Sequence, residues 1–256
     1  MSVALSVKNL TCGYGGEDVI DGISFDVNGG ESLSVSGKNG CGKTTLLRCI
    51  CGIIPKKSGE ILIDGKNTDE LKPNERARLA AMFSQTSASE TVGAYTVRDT
   101  VLMGRFCHKS GIFSSITQED ISIAEDCMRR TGALSLADKY INELSGGQLQ
   151  RVLLARTFAQ QPKLILLDEP ANHIDLSGLP ELISMIREWT EDGGAAVGVF
   201  HDLNLCAAAS DRLILMDSGK IAADGSCKEV LKSKILSDIY GFDVQAYMRK
   251  IAEIWR

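Results

Sequence analysis

The sequence predicts an α/β fold: a parallel sheet carrying a phosphate-binding loop, with a helical lobe at about residues 86–150 inserted between sheet-forming segments. Three observations lead there. A short strand pattern at Ser32–Val35 runs straight into the turn Gly37-Lys38-Asn39-Gly40-Cys41-Gly42-Lys43-Thr44, and a helical pattern follows. A continuous apolar run, Leu164–Leu167, ends on Asp168-Glu169, as a strand buried on both faces does. Between the two lies a stretch whose apolar residues recur at helical spacing.

The elements follow in chain order. Alternating segments near Leu5–Leu10 and Val19–Val27 read as strands separated by a turn at Gly15-Gly16. Thr44–Cys51 reads as a helix stopped by Gly52 and Pro55. Gly59–Asp64 is a strand with a turn at Asp64-Gly65, and Ala80–Ser84 is a short strand ending at Gln85. The middle changes character. Thr96–Arg105 is expected to be helical, a loop with Gly111 and several serines follows, and Thr117 caps a helix running to about Arg130. That helix places Ile121, Ala124 and Met128 on one face. Ser145 opens a helix carrying Leu149, Val152 and Leu153. After the strand at Leu164–Leu167 come an amphipathic helix at Leu179–Trp189, strands at Ala195–Phe200 and Leu213–Met216, and a tail from Ser226 with two short helical patterns.

Length and composition fit one large domain or a domain with an inserted lobe: 256 residues, 44% hydrophobic and 24% charged. A net charge of −5 argues against nucleic acid as the main partner. No apolar run approaches the roughly 20 residues that span a bilayer. The opening MSVALSVKNL has no basic start and reads on as a strand, so no signal peptide is expected and the chain is expected in the cytoplasm. None of the eight cysteines sits in a CxxC pair. They are expected to be small core residues in a reducing compartment, with no zinc site and no disulfide framework.

The chemistry concentrates in three places. In the loop from Gly37 to Thr44, glycines let backbone N–H groups converge on phosphate oxygens, and the helix N-terminus adds positive potential. Lys43 can reach the β- and γ-phosphates, and the Thr44 hydroxyl can coordinate Mg²⁺. Taken alone, this motif says only that a nucleotide binds. The strand Leu164–Leu167 delivers Asp168 at its carboxyl end, where open α/β sheets hold their ligands. Asp168 suits Mg²⁺, and Glu169 can orient or deprotonate a water. The third place is Leu144-Ser145-Gly146-Gly147-Gln148 at a helix start, whose N–H groups and hydroxyl form a second phosphate-binding surface. One core does not need two helix N-termini on one γ-phosphate.

With that third motif, LSGGQ, the chain resembles the nucleotide-binding subunits of ATP-binding cassette (ABC) transporters over about residues 3–240. The resemblance implies a RecA-like P-loop NTPase core, about 1–85 and 151–256, with an antiparallel β subdomain and the α-helical subdomain at about 86–150. It implies a head-to-tail homodimer in which the Ser145, Gly146, Gly147 and Gln148 tip of one chain covers the ATP held by the other. ATP and Mg²⁺ are the implied cofactors. On the loop, Gly37, Asn39, Gly40, Cys41, Gly42, Lys43, Thr44 and Thr45 are the implied ATP contacts, and Tyr14 is implied to stack on the base. Asp175 is implied to cross the dimer interface. Thr44, Gln85 and Asp168 are implied at the metal, and Glu169, His201 and Gln85 in catalysis. His108 and His173 are left as structural or interface residues.

A narrower resemblance is to importers of iron–siderophore complexes, haem and cobalamin. It rests on Thr96-Val97-Arg98-Asp99-Thr100-Val101-Leu102-Met103-Gly104-Arg105 with His108, and on Val199-Phe200-His201-Asp202-Leu203-Asn204. The tail pieces Glu229-Val230-Leu231 and Ile239-Tyr240-Gly241-Phe242-Asp243-Val244 are similar to the same group, whereas Cys107 stands where that group has Pro. This implies two integral-membrane permease subunits docked about residues 96–108, a substrate-binding protein acting through them, and a place on the cytoplasmic face of the membrane. Two rivals stand beside it: a soluble ABC ATPase such as an iron–sulfur cluster assembly ATPase, and a small-molecule kinase. Cys41 stands where the family most often has Ser. Tolerance of a small residue explains that; a thiol beside Lys43 at a helix N-terminus is also expected to have a lowered pKa and to react readily.

Overall fold

The computed structural model describes residues 2–84, 95–109, 115–172 and 174–254. Ten strands form two sheets among these residues. The first is four-stranded, in the order β2 (Glu17–Asn28), β1 (Val3–Tyr14), β4 (Lys56–Ile63), β5 (Lys66–Asn67), with every pair antiparallel. The second is six-stranded, in the order β10 (Lys220–Ser226), β9 (Arg212–Asp217), β3 (Ser32–Gly37), β8 (Ala195–Val199), β7 (Leu164–Asp168), β6 (Ala80–Phe83). All its pairs are parallel except β10 with β9.

The uninterrupted apolar runs have a simple cause. In β7, Leu164 and Leu166 face one core while Ile165 and Leu167 face the other. Ile214 and Met216 of β9 join the first core, Leu213 and Leu215 the second. Each strand therefore alternates between two dry faces and needs no polar residue. The first core fills the space between the sheets around α1 (Lys43–Cys51), whose Leu46, Leu47 and Ile50 are fully buried. Helix α2 (Pro73–Leu79) joins the same core through Leu79. The second lies under the remaining helices, α3 (Val97–Leu102), α4 (Gln118–Arg130), α5 (Gly146–Ala159), α6 (Leu179–Glu191), α7 (Leu203–Ala209), α8 (Cys227–Lys232), α9 (Lys234–Tyr240) and α10 (Val244–Ile254).

Four helices begin with the same reciprocal cap. The side chains of Thr96, Thr117, Ser145 and Ser226 each accept from the backbone three residues on, and Asp99, Asp120, Gln148 and Glu229 reach back. The apolar helix α5 packs on α3 and α4 on one side and on β6 on the other. The boundary expected at about residue 150 falls inside it.

Three further differences from the sequence reading have physical reasons. The helix expected over Thr96–Arg105 is α-helical only to Leu102 and tightens to a 3₁₀ turn over Met103–His108. There Gly104 abuts α5, where a Cβ would meet the Arg156 carbonyl oxygen at 2.4 Å. Helix α2 was unforeseen, although Pro73 opens it and Glu75 caps it. The tail holds a third helix, α10, with Val244 as its buried residue. All eight cysteines are free thiols; seven are buried and Cys51 is half-buried. No helix among the described residues is long and apolar enough to cross a membrane.

Candidate functional site

The loop begins where β3 meets β9. Gly37 has φ 147°, and a Cβ there would lie 2.2 Å from the Met216 carbonyl oxygen, so glycine is required. Gly42, at φ 104°, caps α1 with no side-chain acceptor, and the first turn carries no acidic residue. The first N–H groups of α1 are thus left for an anion. Lys43 is only 6% exposed and curls back over the loop: its ammonium donates to the carbonyl oxygens of Gly37 at 2.8 Å and Lys38 at 2.9 Å.

Strand β7 meets this loop at its carboxyl end. The Thr44 hydroxyl donates to Asp168 Oδ1 at 3.0 Å. Burial pushes the Asp168 carboxyl above its ordinary range; the Thr44 hydroxyl opposes that rise and the Glu169 charge adds to it. One residue on, Glu169 takes φ 52°, a left-handed conformation uncommon for a non-glycine residue, with its N–H bonded to the Val199 carbonyl at 3.1 Å. Its Oε1 lies 2.5 Å from His201 Nε2, and its Oε2 accepts from the Asn172 amide. An open cleft of about 470 Å³ is lined by Val19, Asn39, Gly40, Gly42, Lys43, Thr44, Thr45, Glu169 and His201. The structure thus brings most of the sequence-derived loop residues, Glu169 and His201 to one concavity, with Asp168 behind Thr44.

Other expected residues lie apart. Tyr14 is 47% exposed at the end of β1; it is outside that lining, with its hydroxyl 3.5 Å from Arg48 Nη1. Ser145 caps α5, accepting from Gln148 N–H at 3.4 Å, while Gln148 Oε1 accepts from Ser145 N–H at 3.0 Å. With Gly147, Gln148, Arg151, Ile174 and Asp175, Ser145 lines a second depression of about 340 Å³. Gly146 is not among its lining residues. Asp175 Oδ1 accepts from Ser177 Oγ at 2.7 Å and Gly178 N–H at 3.0 Å, and these bonds, with the nearby Arg151 charge, hold its carboxyl below the usual range. The two concavities share no lining residue. Gln85 and His173 lie outside the described residues. His108 Nε2 lies 2.8 Å from the Gln160 carbonyl at the end of α5, a structural contact.

Sequence reasoning missed Val19, Asn172 and Arg151. Asn172 had a local signal: its N–H bonds the Glu169 carbonyl at 3.2 Å, a turn that returns its amide to the same glutamate. Val19 had none, since its strand position reads as ordinary alternation.

The reactivity expected of Cys41 is corrected. Its thiol is 5% exposed, and burial raises its pKa by more than the Lys43 charge lowers it. Iodoacetamide at neutral pH is therefore expected to leave Cys41 below about 10% modified in the folded protein, given that the thiolate is the nucleophile. Peptide mass spectrometry after brief labelling checks this; stoichiometric labelling blocked by ATP would restore the earlier expectation.

Comparison with known proteins adds the following. The family model described as ABC transporter matches residues 20–172. An uncharacterized ABC transporter ATP-binding protein of Bacillus subtilis, YvrA, is 36% identical over 247 residues; the alignment covers 96% of this chain and 55% of that protein, so the chain spans about half its length. The ferric enterobactin transport ATP-binding protein FepC of Escherichia coli is 34% identical, over 91% of this chain and 86% of that one. Among solved structures, a metal-chelate type ABC transporter in an inward-facing conformation superposes with a TM-score of 0.77 at 30% identity, covering 94% of this chain and 90% of that one. A bacterial ABC transporter cassette solved as a dimer gives 0.77 at 26% identity, covering 87% and 98%.

Proposed function

The chain belongs to the ABC transporter family, and from that premise we propose that it is the ATP-hydrolysing subunit of an importer for an iron complex, a ferric siderophore or haem. The observation that carries this reading is the division of the phosphate-binding groups between two concavities with no residue in common. Each holds half of what a triphosphate needs, and a second copy turned head to tail supplies the other half. The ATP-binding relatives act in ferric enterobactin transport and related import, which supports the substrate class. A dimeric cassette among similar structures supports the pairing.

In this reading Lys43 leaves the carbonyls of Gly37 and Lys38 and turns to the β- and γ-phosphates, while the α1 amides hold the phosphate oxygens. Thr44 and Asp168 would hold Mg²⁺: a hydroxyl and a carboxylate 3.0 Å apart are the oxygen donors a hard cation prefers, and the ion when bound would offset phosphate charge. Glu169 orients the attacking water and receives its proton, and His201, in contact with Glu169, faces the γ-phosphate. Ser145 and Gly147 of the partner close over it, with Asp175 at the seam; Tyr14 stacks on the base. Gln85 is assigned to the water or metal. The core (about 1–85 and 151–256) and helical subdomain (about 86–150) move against each other, with α5 bridging them. The chain sits at the cytoplasmic face of the membrane on two permease subunits, fed by a substrate-binding protein.

The test is association. A tagged chain taken from detergent-solubilised membranes is expected to retain an integral-membrane permease, and its loss from the cell to cut uptake of radiolabelled ferric siderophore or haem at least tenfold. Recovery with soluble partners alone, and undiminished uptake of both, would favour the cluster-assembly ATPase.

A further inference from the structure

Helix α5 carries Ser145 at one end, and its other end is gripped by the 3₁₀ turn Met103–His108. Arg105 on that turn is 6% exposed. Its Nη1 donates to the Ala159 carbonyl at 2.7 Å and to Gln161 Oε1 at 2.9 Å, and its Nε donates to Asp120 Oδ1 at 3.1 Å. The neighbouring His108 covers the Gln160 carbonyl, and Gly104 packs on the Arg156 carbonyl. The last carbonyls of a helix have no partners within it and carry its negative end, so a guanidinium there satisfies both needs.

The grip is itself anchored. Asp120, in the first turn of α4, completes the reciprocal cap with Thr117: its Oδ2 accepts from Thr117 N–H at 2.9 Å, from Thr117 Oγ1 at 2.6 Å and from Lys109. Burial works against the charged carboxylate, but these donors and Arg105 outweigh it and hold the group ionised. On the far side, Gln160 donates to the carbonyls of Ala77 and of Ala80, the latter at 3.0 Å, tying the same helix end to α2 and β6. A buried ion pair adds little stability over an apolar replacement, so its effect here lies in fixed geometry. The rigid planar fork of arginine sets that geometry more tightly than a lysine can.

We propose that Arg105 is a positioning residue for ATP hydrolysis: by fixing the C-terminal end of α5 it sets where Ser145 meets the nucleotide of the partner chain. The 14 residues of α5 span about 21 Å, so a small tilt at the gripped end displaces Ser145 by a comparable fraction of its reach. The proposal rests on the head-to-tail reading above.

Arg105→Gln and Arg105→Lys in the full chain test it. Both are expected to bind ATP as monomers within about twofold of the parent, because the loop cleft is untouched. For Arg105→Gln, kcat per folded chain is expected to fall at least tenfold with KM for ATP within about threefold. In the Glu169→Gln background, the ATP concentration that gives half dimer is expected to rise at least tenfold. Arg105→Lys, which keeps the charge and loses the fork, is expected between the two. Unchanged kcat and dimerisation in folded Arg105→Gln overturn the proposal. So does a loss that disappears once rates are corrected for the folded fraction measured by circular dichroism, since that marks a stabilising role alone. Should Arg105→Gln not fold, Arg105→Lys is read by the same criteria. Failure of Glu169→Gln with Arg105 intact to dimerise overturns the head-to-tail reading and this proposal together; normal dimerisation in both overturns this one only.

Discussion

Glu169→Gln is expected to slow ATP turnover by about 10²- to 10⁴-fold, the range a general base contributes, while ATP affinity changes by less than about threefold. The amide keeps the size and planarity of the carboxylate, so the left-handed turn at residue 169 and its bond to Val199 are retained. What is lost is the ability to take a proton from water. ATP then binds and closes the two chains but is not consumed, so a nucleotide-loaded dimer accumulates. Phosphate release gives the rate, and light scattering on a sizing column gives the mass. Hydrolysis at the parent rate would remove Glu169 from its assigned role.

Lys43→Ala is expected to abolish measurable ATP binding in the micromolar range. Hydrogen bonds to charged groups each contribute about 1.5–3 kcal/mol, and Lys43 is assigned contacts to two phosphates. The affinity loss is therefore about 10²-fold or more. A second effect arises without nucleotide. The carbonyls of Gly37 and Lys38 lose the ammonium that now bonds both, so the empty loop loosens and the melting temperature falls by a few degrees. Calorimetric titration with ATP and a thermal melt without it separate the two effects. Retained affinity with a lowered melting point would confine Lys43 to holding the loop.

Much of this site was legible because its chemistry is local in sequence. The loop from Gly37 to Thr44 is one contiguous segment whose glycines answer to backbone angles, and Asp168-Glu169 closes a run whose apolarity follows from its two covered faces. What stayed hidden depends on distant packing. The thiol of Cys41 is two residues from Lys43 in sequence, yet its surroundings are set by β9, β3 and α1, and desolvation prevails over the neighbouring charge. The Gly104-Arg105 pair reads as a surface segment for docking. The structure turns Gly104, Arg105 and Cys107 inward and leaves Phe106, 56% exposed, facing out. That inversion depends on a glycine-sized gap against α5, which no spacing rule encodes. The contact of Glu169 with His201 likewise required the return of β8 beside β7.

The alternation of β7, β8 and β9 between two cores has a mechanical consequence. These strands are a party wall: side chains on both surfaces brace the same few backbone units. Neither room can slacken without exposing the lining of the other. The acids mounted at the end of β7 therefore stand on masonry braced from both sides.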